Sequence, residues 1–248
     1  MRFYFLPNLL TAANLFCGFY SIIASLQDFY IPACIAILVA GVFDLLDGRI
    51  ARLTKGHSKF GEEFDSLSDL VSFGLAPAML LYLWSLESFG RIGWLASFVF
   101  VVCGALRLAR FNAKSSSLEK KYFEGLPIPI AAYTLVTLTL LFHELMLEES
   151  KNYFNLIITI VLGALMVSNI KYRSFKDLDL KSRSSFGVLI TAIFILMVIA
   201  YNPGIMMFVA MISYVASGPF FYFFEKGPVR KKKVEELPDL RLIGKKEL

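Results

Sequence analysis

Residues 44–69 read DLLDGRIARLTKGHSKFGEEFDSLSD and place Asp44, Asp47, Asp65 and Asp69 where one strongly apolar segment ends and the next begins. A carboxylate beside lipid is costly, so acids at that depth face the interior of a helix bundle and mark a functional site. Read as two helices and a loop, the stretch has Asp44 and Asp47 three apart and Asp65 and Asp69 four apart, so each pair lies on one helix face. The two pairs can then converge. The loop carries Gly56 and Gly61, which allow a tight reversal, and the basic or polar residues Arg49, Arg52, Lys55, Ser58 and Lys59. Converging carboxylates repel one another unless cations neutralise them, and hard divalent ions are the natural occupants. Mg²⁺ is commonly held by a few carboxylates together with substrate phosphates, and two such ions can clamp the attacking and leaving oxygens of a phosphoryl displacement. Gly48, directly after Asp47, leaves room for a phosphate to approach, and Arg52 supplies a fork for phosphate oxygens.

Working outward, the chain of 248 residues is 57% hydrophobic and 18% charged, with a mean hydropathy of +0.64. That is too apolar for a soluble domain and implies an integral membrane protein. Apolar segments fall at about 8–27, 30–53, 65–84, 91–111, 126–146, 153–171, 185–201 and 204–224. The fold class is therefore an all-α, polytopic transmembrane bundle of about eight spans. Residues 1–225 form one membrane domain and residues 226–248 a basic cytosolic tail. The opening MRFYFLPNLL lacks the pattern of a secretory signal, so the first apolar segment is expected to stay as a membrane helix.

Of the 25 Lys and Arg, all but Arg91 and Lys151 fall in connections on one side of an eight-span arrangement. The positive-inside bias then puts both termini and the aspartate stretch in the cytoplasm, with the protein in the cell membrane. The net charge of +5 is explained by this bias and by anionic lipid headgroups, and no nucleic-acid-binding motif appears. Cys17, Cys34 and Cys103 read as small buried hydrophobes, and His57 and His143 stand too far apart in sequence for a zinc pattern.

Other signals lie near the ends of the apolar segments. Asn8, Thr11 and Asn14 repeat at helical spacing behind Pro7, giving one polar stripe that can bind a neighbouring helix or a ligand. Ser68, Ser72 and Gly74 follow the last aspartates and permit close helix approach. Arg107 and Arg110, with Asn112, end the fourth span; topology alone places arginines there, and the same pair can recognise a carboxylate or diphosphate. Pro127 and Pro129 read as the start of the fifth span.

The fixed positions Asp44, Asp47, Gly48, Ala51, Arg52, Gly61, Asp65 and Asp69 resemble, at every place, the signature of the CDP-alcohol phosphatidyltransferases, membrane enzymes that displace CMP from a CDP-linked lipid with an alcohol. Acids that merely flank membrane helices carry no such spacing. NLFCGFYSI, SLSDLVSFGLAPA, LRLARFN and FEGLPIPIAA make the wording similar to the phosphatidylserine synthase branch, through about residue 170. The resemblance implies transfer of a phosphatidyl group from CDP-diacylglycerol to L-serine in the lipid bilayer. It implies two Mg²⁺ or Mn²⁺ ions on Asp44, Asp47, Asp65 and Asp69, with Asp69 also the proton acceptor. It implies CDP-diacylglycerol contacts at Pro7, Asn8, Leu9, Leu10, Gly48, Arg52 and Ser58, a serine or phosphate site at Arg107, Arg110 and Asn112, and a homodimer.

Three alternatives stand beside this reading. A cation transporter would need polar residues in the external half of the spans, where the sequence has almost none. An intramembrane prenyltransferase would need a second acidic cluster far along the chain, and none follows. A family member using glycerol 3-phosphate or an inositol phosphate as acceptor stays open.

Overall fold

The structure, a computed structural model, describes residues 5–53, 58–114, 122–146, 152–173 and 203–225. Helix α1 (Phe5–Leu26) and helix α2 (Tyr30–Leu53) form a hairpin whose turn is closed by Asp28 at φ 62. The buried positions of α2 are mostly small (Ala33, Ala36, Ala40, Gly41), so neighbouring helices approach closely. Its Cys34 thiol lies 3.8 Å from the Val136 carbonyl oxygen of a later helix.

Helix α3 is one continuous apolar rod, Lys59–Phe89. It starts earlier than the expected 65–84, because Ser58 is an extended N-cap whose Oγ accepts a 3.0 Å hydrogen bond from the Gly61 amide. Gly61, expected to reverse the loop, is therefore part of the first helical turn. After Asp69 the rod widens into a π-helical segment, Leu70–Leu75, before resuming as α-helix at Ala76–Leu81. Pro77 lacks the N–H that would close an α-turn on Phe73, and the wider turn before it accommodates that loss.

Helix α4 (Arg91–Lys114) follows a turn at Gly90, φ 58. Then come strand β1 (Tyr122–Glu124), helix α5 (Ile128–Glu144), helix α6 (Tyr153–Val167), strand β2 (Lys171–Arg173) and helix α7 (Pro203–Glu225). Among the described residues, five helices are long and apolar enough to cross a membrane: α1, α2, α3, α4 and α7; α5 and α6 are shorter apolar helices. The expected seventh span, 185–201, and the tail, 226–248, lie outside the described residues.

The packing has the sense of a lipid-facing bundle. Phe16, Phe19, Ile35, Val42, Phe98 and Ile157 point outward, while Asn14, Ser21, Ser68, Ser72 and Thr134 are buried. Helix α1 packs along α2, α4 along α6 and α5 along α7.

The two strands add a small antiparallel ribbon to the helical fold, pairing Tyr122 with Arg173, Phe123 with Tyr172 and Glu124 with Lys171. Three-residue strands are too short for alternation to announce them. The ribbon ends at Gly125, where the backbone takes φ +80 and a side chain would meet the Ser168 carbonyl oxygen at 3.1 Å. The amides of Gly125 and Leu126 donate to Ile170 O (2.9 Å) and Leu165 O (3.0 Å). The ribbon thus brings the α4–α5 connection and the end of α6 to one end of the bundle. It also moves the start of α5 to Ile128 and the end of α6 to Val167, inside the expected 126–146 and 153–171, since those two flanks serve the ribbon.

Candidate active site

The site is assembled by α1, whose polar stripe holds the aspartates of its neighbours. Thr11 Oγ1 lies 2.8 Å from Asp47 Oδ2 and 3.1 Å from Pro7 O, both acceptors for its hydroxyl. One turn on, Asn14 Nδ2 donates to Asp69 Oδ1 at 3.2 Å. The rod α3 returns two bonds to the backbone of the same stripe: Ser68 Oγ donates to Thr11 O (3.0 Å) and Ser72 Oγ to Asn14 O (2.9 Å). Asn8, the first member of the stripe, sits against Gly61, where an added Cβ would stand 3.4 Å from Asn8 Oδ1. These side-chain bonds in an apolar setting fix the rotation of α1 against α3, because a buried polar group left unpaired is costly.

Asp44, Asp47 and Asp65 each bring one carboxylate oxygen within 4.8 Å of the others. Asp69, deeper along α3, lies within electrostatic reach of all three. Asp65 Oδ1 is buried with no hydrogen-bond partner, and among the described residues none of the four carboxylates forms a salt bridge. An all-oxygen donor set, without a salt-bridge partner among the described residues and partly orphaned, fits a hard divalent cation bound by carboxylates.

Beside the carboxylates opens a cavity of about 470 Å³. It is lined by Pro7, Asn8 and Thr11 of α1, by Asp47, Gly48 and Ala51 of α2, and by Ser58, Gly61, Asp65, Ser66 and Asp69 at the start of α3. The far wall is Arg107, Leu108, Phe111 and Asn112 of α4 with Pro127 and Pro129. A Cβ added at Gly48 would meet nothing within 4 Å, so the backbone there is open to a ligand. Arg107 lines this space, with a buried Nε that has no hydrogen-bond partner among the described residues, and Asn112 Nδ2 donates to Ser66 Oγ at 3.0 Å, tying α4 to α3.

Most of the residues singled out in the sequence thus meet at one place. Pro7, Asn8, Gly48, Ser58, Arg107 and Asn112 line the cavity with Asp47, Asp65 and Asp69, and Asp44 joins through the carboxylate cluster. Leu9, Leu10, Arg52 and Arg110 are not among the lining residues. Leu9 is exposed on the outer face of α1, and Arg52 Nε donates to Gly48 O (2.8 Å). Arg110 Nη1 donates to Ser168 O and Asn169 Oδ1, each at 3.4 Å. Glu62, Glu63, Ser66 and Phe111 also line the cavity. The spacing of the aspartates already predicts a shared helix face around Ser66, whereas Glu62 and Glu63 fall in a stretch that reads as loop until Ser58 is seen to cap it.

Comparison with known proteins adds a family. The model for CDP-alcohol phosphatidyltransferase matches residues 4–169. The CDP-diacylglycerol–serine O-phosphatidyltransferase of Helicobacter pylori is 44% identical over 176 residues, 70% of this chain and 73% of the relative. The Bacillus subtilis protein of the same name is 38% identical over 173 residues, covering 69% and 92%. The archaetidylserine synthase of Methanothermobacter thermautotrophicus is 41% identical over 172 residues, covering 67% and 69%.

Proposed function

The chain belongs to the CDP-alcohol phosphatidyltransferase family, and from that premise we propose that it transfers the phosphatidyl group of CDP-diacylglycerol to L-serine, giving phosphatidylserine and CMP. The observation that carries this reading is the convergence of four aspartates, an open Gly48 backbone and Arg107, whose Nε has no partner among the described residues, around one cavity. The acceptor comes from the relatives: serine is common to the names of the bacterial and archaeal proteins, while the lipid part of the name changes.

In this reading Asp44, Asp47, Asp65 and Asp69 hold two Mg²⁺ or Mn²⁺ ions. When bound, the ions neutralise the diphosphate and the charge that develops on the departing CMP. The protein's own groups do the rest. Thr11 orients Asp47, and Asn14 occupies Asp69 Oδ1, which leaves the other carboxylate oxygen to accept the proton of the serine hydroxyl. The serine Oγ then bonds to the β-phosphorus, the bond from that phosphorus to the CMP oxygen breaks, and CMP leaves with the electron pair. Pro7, Asn8, Gly48 and Ser58 contact the CDP portion, with Arg52 beside them. Leu9 and Leu10, on α1 next to the cavity wall, meet the lipid. Arg107 pairs with the serine carboxylate, with Asn112 beside it and Arg110 bracing α4. The positive-inside count supports a cytoplasmic site and eight spans. In further support, Gly204 packs on the Leu140–Glu144 end of α5 while Tyr172 packs on Val215, so Arg173 and Pro203 stand at opposite ends of the bundle.

CMP release by purified enzyme given CDP-diacylglycerol and one acceptor at a time tests the assignment. Serine is expected to support turnover, and glycerol 3-phosphate and inositol 1-phosphate are not; turnover with either of these and not with serine would move the chain to another branch. A second test probes the support of the metal site. Thr11→Val keeps the shape and removes the bond to Asp47, so the Mg²⁺ concentration giving half-maximal activity is expected to rise about 10- to 100-fold, as for other lost partners of metal ligands. An unchanged metal requirement would remove Thr11 from the site.

A further inference from the structure

Tyr133 of α5 pushes its phenol oxygen into the small-residue face of α2. At Gly41 an added Cβ would overlap that oxygen and stand 2.7 Å from the ring's Cζ and 3.3 Å from its Cε1. The phenol oxygen thus occupies the place that a side chain at position 41 would take, and only glycine leaves room for it. On its other side the ring meets Phe73 of α3 edge-on, with centroids 5.8 Å apart and planes at 78°. Phe73 is fully buried. Tyr133 is therefore wedged between α2 and α3, the two helices that carry the aspartates.

Its height along those helices decides what it faces. Gly41 is three residues before Asp44 and Phe73 four after Asp69, so each stands one turn from a carboxylate on the same helix face. Side chains on a helix lean toward its N-terminus, so Asp44 leans over the turn that contains Gly41. By the same rule Tyr133 leans toward Pro129, one turn earlier on α5 and part of the cavity wall. Because the phenol oxygen fills the Cβ place of position 41, it lies about 5–6 Å from the Asp44 Cβ, a separation that a carboxylate arm and one hydrogen bond together span. Asp44 and Asp69 are also the two carboxylates within electrostatic reach of the phenol.

Donor and acceptor match in what each lacks. Asp47 has the Thr11 hydroxyl and Asp69 the Asn14 amide, whereas among the described residues no donor bonds to the Asp44 carboxylate and the Tyr133 hydroxyl has no partner. A phenylalanine would fill the space between α2 and α3 without the cost of bringing a polar oxygen into it. A carboxylate that ligates an ion is itself held by a hydrogen bond, which fixes its orientation and tunes its affinity.

We propose that Tyr133 is a positioning residue of the cation site, its phenol O–H serving as the donor that holds the Asp44 carboxylate for the ion, with Gly41 keeping open the place from which it does so. This rests on the reading that the aspartates hold a divalent ion. Each of the three carboxylates Asp44, Asp47 and Asp69 then has its own polar partner, from α5 for the first and from α1 for the other two.

The test is Mn²⁺ titration of the purified full chain without substrates, the free ion being followed by its electron paramagnetic resonance signal. The melting temperature of the metal-free protein is read in parallel. Tyr133→Phe keeps the ring on Phe73 and removes the O–H. It is expected to weaken Mn²⁺ binding about 10-fold, the scale of a lost partner of a metal ligand, with a melting temperature near wild type. In an Asp44→Asn background the same change is expected to add nothing, because the carboxylate that it holds is gone. Unchanged Mn²⁺ binding in Tyr133→Phe overturns the proposal, and a lowered melting temperature beside it marks a role in packing only. A 10-fold loss that persists in full in the Asp44→Asn background overturns it as well, since the phenol then acts on another group. Wild-type protein that takes up no Mn²⁺ fails the ion-site reading and the proposal with it, whereas wild-type protein that binds Mn²⁺ no more tightly than Tyr133→Phe fails the proposal alone.

Discussion

Asp69→Asn is expected to bind CDP-diacylglycerol within several-fold of wild type and to lose kcat by about 10²-fold or more, the scale of a lost general base. The amide is nearly isosteric with the carboxylate, and its carbonyl oxygen can still accept from Asn14 Nδ2, which now donates to Asp69 Oδ1 at 3.2 Å. The helix contact between α1 and α3 therefore survives, backed by the separate Ser68 and Ser72 bonds to α1 carbonyls. What disappears is the free carboxylate oxygen able to take a proton. Lipid-binding measurements beside single-turnover rates separate the roles. Near-normal kcat excludes Asp69 as the base, and loss of metal or lipid binding makes it chiefly a ligand.

Removing the divalent ions is expected to abolish turnover reversibly, and Asp44→Asn or Asp47→Asn to lower activity by orders of magnitude. The same substitutions carry an opposite expectation for stability. Asp44, Asp47 and Asp65 crowd their oxygens within 4.8 Å, and none has a salt-bridge partner among the described residues. Without ions, neutralising one of them relieves like-charge repulsion and the desolvation of a buried charge. The metal-free variants are therefore expected to melt at or above the wild-type temperature while being inactive, the trade of stability for function that a binding site imposes. Variants that melt far lower than metal-free wild type would show these aspartates serving the fold.

The parts of the site legible in the sequence are those where chemistry and helical spacing coincide. The aspartates stand at three- and four-residue intervals inside apolar segments, where no solvating role explains them. Asn8, Thr11 and Asn14 form a stripe whose spacing fixes a face, although only the packed structure shows Thr11 and Asn14 reaching Asp47 and Asp69. The start of α3 was hidden, because basic and polar residues before Asp65 read as loop while Ser58 was in fact capping a helix. The π-helical turn after Asp69 leaves no trace in hydropathy. Nor does the packing of Tyr172 on α7, because the pairing of β2 with β1 and with α7 depends on contacts between segments far apart in sequence.

The central claim is that this carboxylate-lined cavity joins serine to the phosphatidyl group using divalent ions, and product stoichiometry tests it most directly. Purified enzyme is given CDP-diacylglycerol and isotopically labelled serine, and CMP and labelled lipid are counted with Mg²⁺, after chelation, and after Mg²⁺ is restored. The account predicts one phosphatidylserine for each CMP, none of either after chelation, and full recovery on restoring the ion. Metal-free turnover, or CMP release unmatched by labelled phosphatidylserine, would contradict it.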